Sequence, residues 1–330
     1  MVGKPGIRIS AAPKISLNFV LSIQTNMRTK ELALLASIAL ASAIDAYAQN
    51  TPDTTQKKPK KYQAIAPATI PFGKEAFGAA KNTNIRWLGM AGFLVNSHGT
   101  TLMIDPLLEG YDMPLAREFP IKPKEVPHLD AVLATHSDND HYSVATFKDL
   151  APVTKEFHST VFVDSLMKNE GLPSFGHFIG ESFRVGGVSV RLTLADHAWQ
   201  NNFPQPGQRY YEPGDACGFW LDTPDGSIWA PGDSRFMQEQ LRMPTPDAIL
   251  FDYSEDAAFH SGLEGAVKIA NAYPHTPLIL GHWGFVDAPD FIPFNGDPKK
   301  LAARVVNPER IIVLAPGQPF TLKRLKSNKK

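Results

Sequence analysis

Cysteine is nearly absent: the 330 residues contain one, Cys217, inside the apolar run CGFWLDT. That excludes an intramolecular disulfide and a cysteine-rich zinc site, and a lone thiol in such a run reads as buried and inert. Long apolar runs are missing too. The one extended apolar stretch, residues 32–44, has 13 residues, short of the roughly 20 that cross a bilayer. There is no glycine-rich phosphate loop, because GDACGF and APGDS lack the Lys-Ser/Thr pair that such loops carry. Nucleic-acid-binding motifs and internal repeats are likewise missing. Net charge is zero, with 33 Lys+Arg against 33 Asp+Glu. With 43% hydrophobic and 20% charged residues, the composition is that of a globular protein and excludes a wholly disordered, collagen-like or polytopic membrane chain.

The zero balance conceals an uneven distribution. Arg28 and Lys30 precede the apolar stretch 32–44, and Ala46-Tyr47-Ala48 follows it as a small-x-small pattern. Residues 1–48 therefore read as a leader and secretory signal cleaved after Ala48, with Met27 as an alternative true start. The expectation is an exported protein, periplasmic or secreted, with no transmembrane span in the mature chain. Residues 49–61, QNTPDTTQKKPKK, read as a disordered linker, and residues 323–330, KRLKSNKK, as a basic tail. Between them, residues 62–322 form one domain with 19 basic and 30 acidic residues, formally at −11. An acidic domain disfavours nucleic acid as a partner and favours bound cations.

Within that domain short apolar runs alternate with turns and modest helices. Strand-like runs are IRWLG (85–89), FLVNS (93–97), TLMID (101–105), AVLAT (131–135), TVFVD (160–164) and VSVRLTL (188–194). GFWLD (218–222), SIWA (227–230), AILFDY (248–253), PLILG (277–281) and IIVLA (311–315) follow. Ser97-His98-Gly99 and Pro224-Asp225-Gly226 are hairpin turns. Helices are predicted near 142–150, 164–170, 235–242, 262–273 and 298–306. Hairpins mixed with strand–helix units predict an α/β protein of two mixed sheets packed together with helices outside.

The densest chemistry lies in Ala134-Thr135-His136-Ser137-Asp138-Asn139-Asp140-His141, in the loop that follows a strand. Imidazole and carboxylate at this spacing suit Zn²⁺, Mn²⁺ or Fe. Three more strand ends repeat the grammar: LTLADH delivers His197, SIWAPGDS delivers Asp233 after a tight Pro-Gly turn, and PLILGHW delivers His282. The four would converge if their strands lie side by side. Trp199, Tyr142 and Trp283 flank three of these residues and would wall an apolar pocket. Arg235 is placed to pair with an anionic substrate, and Ser234 reads as a turn residue making a supporting hydrogen bond. His98, His128, His158, His177 and His275 have no partner pattern and are expected at the surface.

This arrangement resembles the metallo-β-lactamase superfamily, whose pattern is HxHxDH, a further His, a bridging Asp and a final His. The opening segment IRWLGMAGFLVNSHGTTLMIDPLL, the GDS segment and the late GHWG segment are similar to the branch containing L-ascorbate-6-phosphate lactonase and N-acyl-phosphatidylethanolamine phospholipase D. The resemblance implies an αββα sandwich with two divalent metal ions at one sheet edge. His136, Asp138 and His197 would hold the first, Asp140, His141 and His282 the second, and Asp233 would bridge them. Asp105 would orient a ligand imidazole, and His260 would face the substrate. Asp138 stands where the family usually has His. A third carboxylate makes the cluster neutral once hydroxide is counted and shifts preference from Zn²⁺ towards Mn²⁺ or Fe²⁺. The implied activity is metal-dependent hydrolysis of a lactone, ester or phosphodiester in a small-molecule or lipid substrate by a metal-bridging hydroxide, with Asp140 moving a proton to the leaving group. The rivals are a degenerate metal- or ligand-binding protein without turnover and a phosphodiesterase or nuclease of the same fold. The domain has no concentrated basic stripe, which speaks against the nuclease.

Overall fold

In a computed structural model, residues 61–203 and 209–325 are described, and the expected signal, most of the linker and most of the basic tail lie outside them. Two seven-stranded mixed sheets make up the domain. In spatial order the first is β14 (Pro319–Thr321), β1 (Thr83–Gly89), β2 (Gly92–Ser97), β3 (Thr100–Ile104), β4 (Leu129–Leu133), β5 (Thr154–Thr160) and β6 (Ser174–His177). The second is β13 (Ile311–Ile312), β12 (Leu278–Gly281), β11 (Ala248–Asp252), β10 (Gly226–Ala230), β9 (Cys217–Thr223), β8 (Val188–Leu194) and β7 (Ser182–Val185). Among the described residues four α-helices accompany them: α1 (Val144–Leu150), α2 (Val161–Asn169), α3 (Gly262–Ala272) and α4 (Pro298–Ala302). Among the described residues no helix is long and apolar enough to cross a membrane.

The sandwich follows from two-residue alternation along strands that are apolar on both faces. Ile85 and Trp87 of β1, Phe93 and Val95 of β2, Leu102 and Ile104 of β3, and Ala131 and Leu133 of β4 join the core between the sheets. The residues between them, Leu94, Met103 and Val132, point the other way and pack with Phe147 and Leu150 of α1 and Val163 and Met167 of α2. A strand with two buried faces needs a layer on each side, which forces helices onto the outer face. Both expected hairpin turns form, and the β2–β3 turn is tight because His98 and Gly99 both take left-handed backbone, with φ of 53° and 92°.

Strand direction decides where the chemistry goes. β8 and β10 are each antiparallel to β9, and β10, β11 and β12 are mutually parallel. Thus β8, β10, β11 and β12 run the same way, and their C-terminal ends share one edge. β3 and β4 are parallel neighbours in the first sheet. A cross-sheet bond from the Cys217 N–H to the Thr135 carbonyl, 2.9 Å, ties the end of β4 to the start of β9.

Two expectations are corrected. TVFVD (160–164) is the start of α2, because Thr160 caps the helix by accepting from the Val163 N–H at 3.3 Å. The preceding, more polar TKEFHST is the strand β5. His98, His128 and His275 are exposed as expected, whereas His177 is half-buried and His158 is buried within β5. Neighbouring rings cover His158: Phe183 stacks on it at 4.1 Å, and its Nδ1 lies 3.0 Å from His177 Nε2.

Burial outweighs the nearby Glu156 carboxylate and pushes the His158 pKa down to about 4 from its ordinary 6.5. Between these values the unfolded chain binds the proton that the folded chain refuses. Stability is therefore complete above about pH 6.5 and declines as the pH falls towards 4. A His158→Gln variant, followed by urea unfolding at pH 7 and 4.5, should lose less stability over that interval than the parent, by about 2 kcal/mol. Equal losses would show that His158 does not contribute.

Candidate metal centre

Six strand ends deliver side chains to one place. Asp105 follows β3, the segment 136–141 follows β4, His197 follows β8, Asp233 follows β10, Asp252 closes β11 and His282 follows β12. The turns are built for the task. Gly232 has φ 67°, and a Cβ there would sit 2.8 Å from the Cys217 carbonyl oxygen, so only glycine lets the chain swing Asp233 inward. Asp105 and His282 themselves take left-handed backbone, φ 45° and 62°, a strain of roughly 1–3 kcal/mol each that surrounding bonds must hold. The His282 N–H donates to the Met90 carbonyl at 2.7 Å, and the Asp105 N–H to that of Leu133 at 2.9 Å.

Two triads result, His136–Asp138–His197 and Asp140–His141–His282, and in each the donor atoms of the three residues lie within 4.8 Å of one another. Asp233 Oδ2 stands 3.1 Å from His141 Nε2 and 3.4 Å from His282 Nε2. Asp138 Oδ2 is 3.0 Å from His197 Nε2 and 3.3 Å from His136 Nε2. Asp140 Oδ2 is 3.1 Å from His282 Nε2. The imidazoles are fixed from behind. His141 Nδ1–H donates to Asp105 Oδ2 at 2.9 Å, His197 Nδ1–H to the Phe259 carbonyl at 2.9 Å, and His136 Nδ1–H to Thr135 Oγ1 at 3.0 Å. The Thr135 hydroxyl spends its own hydrogen on Asp105 at 2.6 Å. Such anchoring sets the tautomer that leaves Nε2 as the donor atom facing inward.

Burial opposes charge on each of these groups, and mutual attraction overrides it at most of them. The imidazoles of His141, His282 and His260 hold Asp233 well below the carboxylate range, and His136 and His197 do the same for Asp138. His141 is raised well above 6.5 by Asp233, Asp140 and Asp105, and His282 is pushed up to about 10 by Asp233 and Asp252. Burial wins at His136, which is lowered, and at His260, which falls to about 3. Burial and the Asp233 charge push Asp252 well above the carboxylate range. The cluster favours positive charge, which divalent cations would supply. The donor set fits such ions: His136 Nε2, His141 Nε2 and Asp233 Oδ1 are buried without a hydrogen-bond partner among the described residues.

The other expected site residues divide. His260 borders the cavity above the cluster, with Nδ1 3.2 Å from Asp252 and 3.6 Å from Asp233. Trp199 also lines that cavity. Ser234 Oγ accepts from the Asp196 N–H at 3.0 Å and donates to the Arg235 carbonyl at 2.8 Å, so it braces two loops. Arg235 makes a bidentate pair with Asp196 at the surface and does not face the cavity. Trp283 stacks on Trp87 at 6.3 Å in the core, and Tyr142 packs edge-on to Phe147, so neither walls the cavity over the cluster.

Sequence reasoning missed Asp252, which places one oxygen 3.2 Å from His260 Nδ1 and the other 3.4 Å from His282 Nδ1. Its signal was present: like Asp105 it is an acidic residue at the end of an apolar strand.

Comparison with known proteins is consistent with this geometry. The family profile described as "Beta-lactamase superfamily domain" matches residues 100–283. A UPF0173 metal-dependent hydrolase from Myxococcus xanthus is 32% identical over 305 residues, covering 86% of this chain and 97% of that protein. Another, from Herpetosiphon aurantiacus, is 33% identical over 153 residues, covering 44% of this chain and 59% of that protein. A solved metallo hydrolase from the archaeon Ignicoccus hospitalis superposes with a TM-score of 0.58 at 18% identity, covering 74% of this chain and 100% of its own, a likeness of fold.

Replacing Asp105 by Asn keeps a residue that tolerates left-handed backbone but removes the charge behind His141. Zinc affinity, measured by chelator competition, should fall about 10–100-fold. An affinity equal to the parent's would remove Asp105 from the supporting role.

Proposed function

The chain belongs to the metallo-β-lactamase superfamily and, within it, to the UPF0173 family of metal-dependent hydrolases, and we propose that its cavity is a hydrolytic site built on two divalent cations. His136, Asp138 and His197 would hold one, Asp140, His141 and His282 the other, with Asp233 between them. The observation that carries the reading is the pair of triads on either side of Asp233, with the Nε2 atoms of His136 and His141 buried and without a hydrogen-bond partner among the described residues. Bound there, such ions would supply Lewis acidity towards a carbonyl or phosphoryl oxygen and would lower the pKa of water.

The chain's own residues do the remaining work. Asp105, Thr135 and the Phe259 carbonyl hold the imidazoles in one tautomer and one orientation. Asp252 Oδ1 faces His282 Nδ1 at 3.4 Å without a hydrogen bond. Asp140, which lines the cavity, is assigned the proton passed to the leaving group, and His260 borders the substrate space. Trp199, which lines the cavity, would displace water from the reacting group. Three carboxylates among the ligands favour harder ions, Mn²⁺ or Fe²⁺ beside Zn²⁺. The bond cut belongs to a lactone, ester or phosphodiester of a small molecule or lipid. The segments 85–108, 232–234 and 281–284 support kinship with the branch of L-ascorbate-6-phosphate lactonase and N-acyl-phosphatidylethanolamine phospholipase D. The segment 27–48 supports export.

Metal analysis of the purified protein, followed by assays on lactone, ester and phosphodiester panels, tests the reading. Two ions per chain and metal-dependent turnover that disappears in Asp233→Ala are expected. Absence of turnover on every panel with metal still bound would favour a binding protein. An Asp138→His variant should retain zinc more tightly than the parent in the same chelator competition, and weaker or equal retention would refute the role given to Asp138.

A further inference from the structure

The cavity over the cluster, about 390 Å³, has an aromatic wall and an acidic floor. Tyr111, Trp199, Phe203, Phe291 and Phe294 form the wall together with Met113. The rings support one another: Trp199 lies 4.5 Å from Phe203 and 5.9 Å from Phe291, and Phe294 lies 5.2 Å from Phe291 and 6.0 Å from Tyr111. The floor is Asp138, Asp140 and Asp233, and the exposed Asp112 stands at the rim. Among the described lining residues none is Lys or Arg. The segment that follows Phe203 in sequence, Pro204-Gln205-Pro206-Gly207-Gln208, contains none either. The one cation that the sequence offered to an anionic substrate, Arg235, is engaged by Asp196 at the surface.

Phosphoryl groups are normally met by Arg or Lys, which pair with their oxygens and offset the cost of taking the charge out of water. Among the described lining residues there is no Lys or Arg to do that. The third carboxylate of the expected ligand set, Asp138, would also lower by one the positive charge with which two divalent ions draw an anion. An apolar body, by contrast, gains from burial against the rings. Resting on the hydrolytic reading of this site, we propose that the substrate is an uncharged acyl compound, an ester or lactone with an apolar body, and that phosphodiesters and carboxylate-bearing esters are disfavoured.

The test uses metal-loaded protein with p-nitrophenyl hexanoate, mono-p-nitrophenyl adipate, which adds a carboxylate to an acyl chain of the same length, and bis(p-nitrophenyl) phosphate. kcat/KM should be at least about tenfold higher for the hexanoate than for the adipate, the size expected of one like charge at about 10 Å in a partly shielded site. An Asp112→Lys variant should narrow that ratio. Binding is read separately, by titrating 2-octanone and dibutyl phosphate against tryptophan emission, with Trp199→Phe assigning the signal to the cavity. The ketone should act at the lower concentration. Preference for the adipate or the phosphodiester, an unaltered ratio in Asp112→Lys, or tighter binding of dibutyl phosphate would overturn the proposal. Failure of all three esters to turn over would instead overturn the hydrolytic reading, while the two titrations would still decide which charge the cavity accepts.

Discussion

The side chains of Asp105, Asp138, Asp140, Asp233 and Asp252 meet at a single edge of the sandwich, none more than 14% exposed. Carboxylates taken out of water this far need cations or protons close by, because their hydration is lost and little else replaces it. The surroundings answer that need. Five imidazoles, those of His136, His141, His197, His260 and His282, reach into the same space. Anchored on Nδ1 by a carboxylate, a hydroxyl and a carbonyl, His141, His136 and His197 turn Nε2 to the cluster. Asp252 departs from the other carboxylates, because burial and the Asp233 charge push it well above the carboxylate range.

Concentrating so many polar groups at one edge is a matter of backbone direction before it is one of side chains. A strand carries a polar residue into a core only at its end, where the ladder stops and the chain can turn. Because β8, β10, β11 and β12 run in parallel directions and β3 and β4 do likewise opposite them, six such ends coincide. The left-handed backbone of Asp105 and His282 is the local cost, and it falls on residues whose side chains the cluster holds in place.

Much of this was legible in the sequence because ligand chemistry restricts residue type. An apolar run ending in His or Asp is an unusual word, and four of them spell a site, so His136, Asp138, Asp140, His141, His197, Asp233 and His282 could be named before any fold was known. Asp252 escaped because AILFDY continues into an apolar Tyr253, so its Asp reads as a strand residue instead of a strand terminus. The two sheets followed from strongly apolar strands, whereas β5 is polar on its exposed positions and was passed over for the more apolar TVFVD beside it. A five-residue run is too short for its period to separate strand from helix, and Thr160 as a cap was the deciding signal. The fates of Arg235, Trp283 and Tyr142 were invisible for another reason. Adjacency to a ligand in sequence places a residue within a few ångströms but leaves its direction open, and Trp283 turns into the core while its neighbour His282 turns into the site.

The chain completes six strands of the first sheet before it crosses to the second, and only β14 returns. Each triad takes two residues from before that crossing and one from after it. On the ribosome, residues 136–141 therefore emerge well ahead of the partners at 197, 233 and 282, and the nascent half offers at most a two-point chelate that competes poorly for ions. Tight capture would wait until β12 has docked and carried His282 into place. The finished centre would thus be a seal on synthesis: a chain cut short just after Asp233 would carry six of the seven expected donors and still lack the imidazole that closes the second triad.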